Sequence, residues 1–367
     1  MSKLWRLALS TFLLYPSCIL GQHKLDSLFK RASLTILGHH GFFITDAPKA
    51  TYLRDTYSSF IEAGLSFQTD GSKPWHYYNK FPSSGISFFY GNTGSRKYIG
   101  KTAGVFPYMK FPVFRYRSFN TLVKAGAGLA WIEKKYDVQN NHKNTLIGSH
   151  WNAIINLGLF NEFRITNHLF LNAGLSFTHF SNGTSTLPNL GLNIPAVSAG
   201  FRYAFEPTPS FIQKNLKDSS YKGKHINIYG SVGVKQSPWI ASERHLIPNI
   251  QGEFIKSISP VSNYGAGILL SYDPSLQREI PHAVKDLFDE GDIKLLAGIY
   301  AMYEYKAGNV SFPLQAGIYV LNKYSASAMF QNIGVTYKLN SHWSARAQLK
   351  THLGKADYIH IGGGYTF

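Results

Sequence analysis

Beyond residue 30 the chain alternates apolar and polar side chains in runs of about ten residues, and clusters of Gly, Asn, Asp, Ser or Pro separate one run from the next. That rhythm predicts strands. Eight fall near 33–43, 58–67, 84–91, 100–114, 120–132, 149–163, 167–181 and 194–205. Eight more fall near 225–235, 248–256, 263–272, 293–304, 311–321, 327–338, 342–352 and 357–367. No helix-period stretch of useful length interrupts them; the best candidate, Ala283 to Phe288, is short.

Side chains on a strand alternate between its two faces, so parity separates wall from interior. In 167–181 the odd row runs Asn167, Leu169, Leu171, Ala173, Leu175, Phe177, His179 and Ser181. The even row carries His168, Asn172, Gly174, Ser176 and Thr178, with Phe170 and Phe180 as exceptions. Strand 194–205 repeats this, with Pro195, Val197, Ala199, Phe201 and Tyr203 set against Ser198, Gly200 and Arg202. An apolar outer wall around a polar interior is the requirement for a barrel in a membrane.

The two series read as one unit written twice. Asn161 to His168 has its counterpart in Val335 to His342, and Val197 to Phe205 in Ile359 to Phe367. Each half closes on an aromatic pair, Tyr203 with Phe205 and Tyr365 with Phe367. Phe367 also matches the aromatic C-terminus typical of outer-membrane barrels. The expected fold is therefore all-β and antiparallel, with two tandem eight-stranded units. These form either two barrels or one barrel of about sixteen strands, since both satisfy barrel geometry.

Composition fits that expectation. Aromatics make up 15% of the 367 residues and charged residues 16%, against about 25% charged in ordinary soluble proteins. Residues 1–21 read as a signal peptide, with Lys3 and Arg6 before an apolar Leu7 to Leu20 and small Gly21 at the cleavage point. The expected divisions are thus a signal at 1–21, a first barrel unit at 22–205, a polar linker at 206–224 and a second unit at 225–367. Cys18, the single cysteine, lies in the signal, so disulfides and thiolate metal sites are excluded from the mature chain. Adjacent His39 and His40 point to opposite faces of a strand, which argues against a metal there. The formal charge of +17 points to anionic lipid headgroups for an exported chain, not to nucleic acid.

If the chain enters from the periplasm, the seventh strand ends at the external surface. There His179 and Ser181 share the outward row, where a polar group is costly unless it has partners or a task. The imidazole is placed to take the Ser181 hydroxyl proton as general base. Asn193 has the same parity on the next strand and is placed to orient His179. The side-chain amides of Asn182 and Asn189 are neutral donors suited to an oxyanion. His342-Trp343-Ser344 repeats the triplet, but at the periplasmic start of a strand and in the polar row, where its reading is structural.

The run His179-Phe180-Ser181-Asn182, with Pro188-Asn189 and Gly191, resembles the active-site motif of the outer-membrane lipid A deacylases. Pro112 to Arg117 and Ala125-Gly126-Ala127-Gly128 resemble that family's middle strands, and the likeness covers about residues 30–205. It implies an eight-stranded barrel that hydrolyses an ester-linked acyl chain of lipopolysaccharide without metal or other cofactor. It further implies Ser181 as nucleophile and His179 as base. Asn182 and Asn189 fall at the positions assigned to the oxyanion region, and Gly191 is grouped with them. Two departures stand out: Asn193 replaces the usual acidic residue, and the family is built from one unit where this chain has two.

In the second half Thr351-His352 is followed by Leu353-Gly354, and His352 falls in the interior row, so that half is expected to be non-catalytic. Lys134, Lys135 and Lys143, in the external loop 133–148, are candidates to meet lipid A phosphates. The competing expectation is a non-enzymatic outer-membrane barrel, a pore or surface-binding protein with a vestigial site. The acyl chain cleaved and the oligomeric state are open at this point.

Overall fold

The structure is a computed structural model that describes residues 30–45, 48–207, 223–240, 242–279, 294–323 and 327–367. The expected signal at 1–21, most of the linker and Ala283 to Phe288 lie outside the described residues. The first eight strands are β1 (Ala32–Gly41), β2 (Ser58–Gln68), β3 (Ser83–Asn92), β4 (Lys101–Tyr116), β5 (Phe119–Ile132), β6 (Trp151–Arg164), β7 (Leu169–Ser181) and β8 (Leu192–Ala204). The second eight are β9 (Gly223–Gln236), β10 (Arg244–Ser259), β11 (Ser262–Tyr272), β12 (Leu295–Ala307), β13 (Val310–Leu321), β14 (Met329–Lys338), β15 (Trp343–His352) and β16 (Lys355–Thr366).

Each set closes on itself. β8 pairs antiparallel with β1, Val197 opposite His40 and Arg202 opposite Thr35, while β16 pairs with β9, Ile361 opposite Val232. The chain is therefore two closed eight-stranded barrels, and the sixteen-stranded alternative falls away. Their duplication extends to detail. In the β6–β7 turn His168 stacks on Tyr203 and its Nδ1 meets the Ala204 carbonyl. In the β14–β15 turn His342 stacks on Tyr365 and its Nδ1 meets the Thr366 carbonyl.

The outward rows are apolar and exposed, among them Leu175, Val197 and Phe201 in the first barrel and Ile268 and Ile361 in the second. The interior is less polar than the row read from parity, which already held Phe170 and Phe180 as exceptions. In the outer half of the first barrel Phe60, Phe89, Phe106, Ile154, Phe180 and Ile194 pack together, joined by Leu146 and Ile147 from the β5–β6 loop. Phe180, an exception to the polar row, belongs to an apolar plug that fills this end of the barrel. Below the plug the lumen turns polar, with Lys124 paired to Glu62 and both buried. The second barrel is filled by a Glu253–Arg346 ion pair that also engages Tyr300 and Gln315. Near its outer end Lys235 sits between Asp357 at 2.9 Å and Asp273 at 3.5 Å. Buried charges are tolerated there because each has a partner.

Among the described residues two short α-helices escape the strand pattern, α1 (Pro74–Tyr78) in the β2–β3 connection and α2 (Leu276–Glu279) after β11, beside a 3-10 turn at Pro48–Leu53. Both helices are too short for a helical period to show in sequence. The barrels touch at both ends. At one end Tyr305 donates to Asn79 and its ring lies 5.9 Å from Phe111. At the other, Thr184 donates to the Asp357 carbonyl and the Leu187 N–H donates to Gln236 Oε1 at 2.7 Å. Like ends meet like ends: the β2–β3 connection meets the end of β12, and the β7–β8 connection meets β9 and β16.

Candidate active site

The β7–β8 connection positions the site. The register sets His179 opposite Asn193 across the β7–β8 ladder, and Asn193 Oδ1 lies 2.6 Å from His179 Nδ1. A short Asn acceptor on Nδ1–H fixes the tautomer with Nε2 bare, the form a general base needs. The backbone at Asn193 is held from the other side as well, because the Ile44 N–H donates to its carbonyl at 2.7 Å. His179, Ser181 and Asn193 are all half-buried on the outward face.

Ser181 ends β7 and is gripped by the loop that follows. Its Oγ accepts from Asn189 Nδ2 at 2.9 Å and from the Gly183 N–H at 3.2 Å. Asn189 is itself aimed, because its Oδ1 accepts the Asn182 N–H at 3.1 Å. Among the described residues no direct hydrogen bond joins His179 to Ser181, the looser arrangement common before substrate tightens a site. Gly183 was invisible to residue-by-residue reading, since what it offers is a backbone N–H. A positive φ of 58° at this glycine, two residues after β7 ends at Ser181, is the signal of the turn that aims it.

Two residues grouped with the oxyanion region have other partners. The buried side chain of Asn182 donates to Ser149 Oγ at 2.9 Å and to the Thr186 carbonyl at 2.8 Å. It braces the loop, while its backbone N–H aims Asn189. Gly191 donates its N–H to the Leu146 carbonyl at 3.1 Å. Its contribution is space: with φ at 77°, a Cβ there would lie 2.9 Å from His179 Cε1.

The three lysines of the β5–β6 loop divide. Lys134 is spent on structure, its ammonium donating to the carbonyls of Arg96 at 2.8 Å and Lys97 at 3.3 Å. Lys135 and Lys143 are exposed. Elsewhere, His39 makes a Ser–His–carboxylate cluster inside the lumen, 2.8 Å from Ser198 Oγ and 3.4 Å from Glu62 Oε2. All three are buried under the apolar plug, which makes them a packing network with no room for an ester. In the second barrel His352 Nε2 bonds the Tyr319 hydroxyl at 3.0 Å, and no serine follows it on that face.

Comparison with known proteins bears directly on this site. The family model described as lipid A 3-O-deacylase matches residues 61–202, which hold His179, Ser181 and Asn193. A second model, described as the C-terminal domain of acyloxyacyl hydrolase, matches residues 224–367. Residues 61–202 thus carry a lipid A 3-O-deacylase domain and residues 224–367 an acyloxyacyl hydrolase C-terminal domain. Both descriptions name ester hydrolases, one for each barrel. Among solved structures, the outer membrane enzyme PagL shares 16% identity over 46% of this chain and 98% of its own, with a TM-score of 0.30. Neisserial surface protein A shares 9% identity over 47% of this chain and 96% of its own, with a TM-score of 0.34. No curated protein matches the chain by sequence.

Proposed function

We propose that the first barrel is a serine esterase of the outer membrane that hydrolyses an ester-linked acyl chain of lipid A, with Ser181 as nucleophile and His179 as general base. The observation that carries this reading is the seating of Ser181. Two donors, Asn189 Nδ2 and the Gly183 N–H, occupy its oxygen, while the neighbouring imidazole is locked by Asn193. With acceptor sites filled, the hydroxyl proton is the group left to give away. His179 Nε2 takes it as Oγ attacks the ester carbonyl. The same two donors then lie beside the carbonyl oxygen as it becomes an oxyanion. His179 returns the proton to the leaving sugar alkoxide, and water releases the fatty acid from the acyl-serine by the reverse relay.

Position supports the substrate. The site opens on the outward wall near the external end, where acyl chains of the outer leaflet lie against Phe177, Pro195 and Val197 without leaving the membrane. Exposed Lys135 and Lys143, on the external side, are placed for the lipid's phosphates. The apolar plug in the first barrel and the ion-paired interior of the second count against a pore. In this reading residues 22–205 are the catalytic unit, delivered by a cleaved signal at 1–21, and 225–367 form a supporting barrel. The test is the intact chain incubated with lipopolysaccharide, with released fatty acid followed by mass spectrometry. Wild type is expected to release fatty acid and Ser181→Ala to release none above background. Silence from wild type, or equal release by Ser181→Ala, refutes the reading.

A further inference from the structure

The periplasmic mouth of the first barrel has the opposite character to its sealed outer end. A cavity of about 300 Å³ opens there, and its wall carries Lys110, Arg115, Arg117, Arg164 and Arg202 against a single carboxylate, Glu162. Glu162 is already committed: Arg202 grips it with two parallel hydrogen bonds of 2.7 and 2.8 Å. Arg115, Arg117 and Arg164 stand exposed around the rim, with Arg115 steadied by the Phe81 carbonyl at 3.3 Å.

Lys110 forms the floor. It is 5% exposed, and its ammonium reaches Thr35 Oγ1 only at 3.5 Å and the Tyr108 ring at 5.4 Å. Among the described residues no carboxylate stands within ion-pair distance of it, whereas Lys124, its partner across the β4–β5 ladder, has Glu62. A buried ammonium is costly unless an anion accompanies it. Guanidinium groups at a rim supply forked donors that match phosphate oxygens. The lumen above is closed by the Lys124–Glu62 pair and the apolar plug, so the cavity is blind and fills from the periplasmic side.

We propose that this vestibule is an anion site that binds one small phosphate-class anion from the periplasm, with Lys110 beneath it and the rim arginines around it. It is distinct from the esterase site at the other end of the barrel, and it stands on the lumen alone, whether or not Ser181 is a nucleophile. Its volume admits inorganic phosphate or a small phosphate ester and excludes a lipid.

The experiment is isothermal titration of the full chain in neutral detergent with inorganic phosphate at near-physiological salt. One saturable site is expected. Lys110→Met is expected to weaken it at least tenfold, and Lys355→Ala, an exposed cation on the second barrel, to leave it unchanged. Absence of a saturable heat overturns the proposal, as does equal weakening by Lys110→Met and Lys355→Ala, which marks a diffuse charge effect. If Lys110→Met fails to fold, judged by loss of the heat-modifiable barrel band, Arg117→Gln at the rim serves in its place. A severalfold loss is then expected, and unchanged binding refutes the site.

Discussion

Around Ser181 each group is held by another that does no chemistry. Asn182 lends its N–H to aim Asn189, Gly191 clears room for the imidazole, and Ile44 pins the strand that carries Asn193. Asn189 is the residue on which this converges, because its amide is the side-chain donor at the Ser181 oxygen. Removing one oxyanion donor costs roughly 10²–10³ in kcat in serine hydrolases. Asn189→Ala is therefore expected to lower kcat by about that factor with KM little changed, since the lost interaction strengthens only in the transition state. Steady-state fatty-acid release on a soluble ester and on lipopolysaccharide checks it; a change confined to KM contradicts the assignment. Parity alone put His179, Ser181 and Asn193 on one face, which is why that much was legible in the sequence. The turning of the Asn182 amide toward Ser149 was not, because the partner lies on a different strand and loop.

Among the connections, the β2–β3 segment is the outlier. Its neighbours at that end, Arg117-Ser118, Val261 with its flanking residue, and Gly308-Asn309, are tight turns, whereas 69–82 carries α1 and a local charge cluster. Burial alone would raise the Asp70 carboxyl. The Ser72 hydroxyl and N–H, the Arg31 guanidinium at 2.7 Å and the nearby His76 outweigh it and hold the group down to about 2. A carboxylate depressed in the fold contributes stability that is present above its ordinary value of 3.8 and is lost as pH falls through about 2. Asp70→Asn is thus expected to lower stability at neutral pH and to flatten the acid limb between those two values, so that the two proteins converge below about 2. The effect is modest because the side chain is well exposed. Unfolding midpoints by tryptophan fluorescence across that range measure it, and parallel acid limbs for both proteins contradict it. The strands around this segment were legible from period-two alternation almost to the residue. The segment itself was not, because five helical residues leave no period and a charge cluster closed by Arg31 spans most of a hairpin.

At the scale of the molecule, the second barrel meets the first at the loop that shapes the site. Gln236 Oε1 accepts the Leu187 N–H at 2.7 Å, its own N–H donates to the Thr184 carbonyl at 2.9 Å, and Arg244 donates to Thr186 Oγ1 at 3.0 Å. These contacts fall between Gly183 and Asn189, the two donors to Ser181. Gln236→Ala removes one such brace, and a hydrogen bond of this kind is worth about 1 kcal/mol. The expected result is a roughly fivefold fall in kcat with both barrels still folded, read beside a heat-modifiability gel. Unchanged turnover would separate the barrels functionally. The duplication itself was legible in repeated strings such as the one ending in His168 and its copy ending in His342. Closure into two barrels was not, because strand-to-strand pairing across a whole sheet leaves no local mark.

The plug of Phe60, Phe89, Phe106 and Phe180 has one more consequence. On the esterase proposal, the sealed bore leaves the substrate to reach Ser181 sideways, by diffusion in two dimensions. The quantity that sets the rate is then the mole fraction of substrate in the leaflet. Diluting the suspension leaves that fraction untouched, whereas adding inert lipid or detergent lowers it.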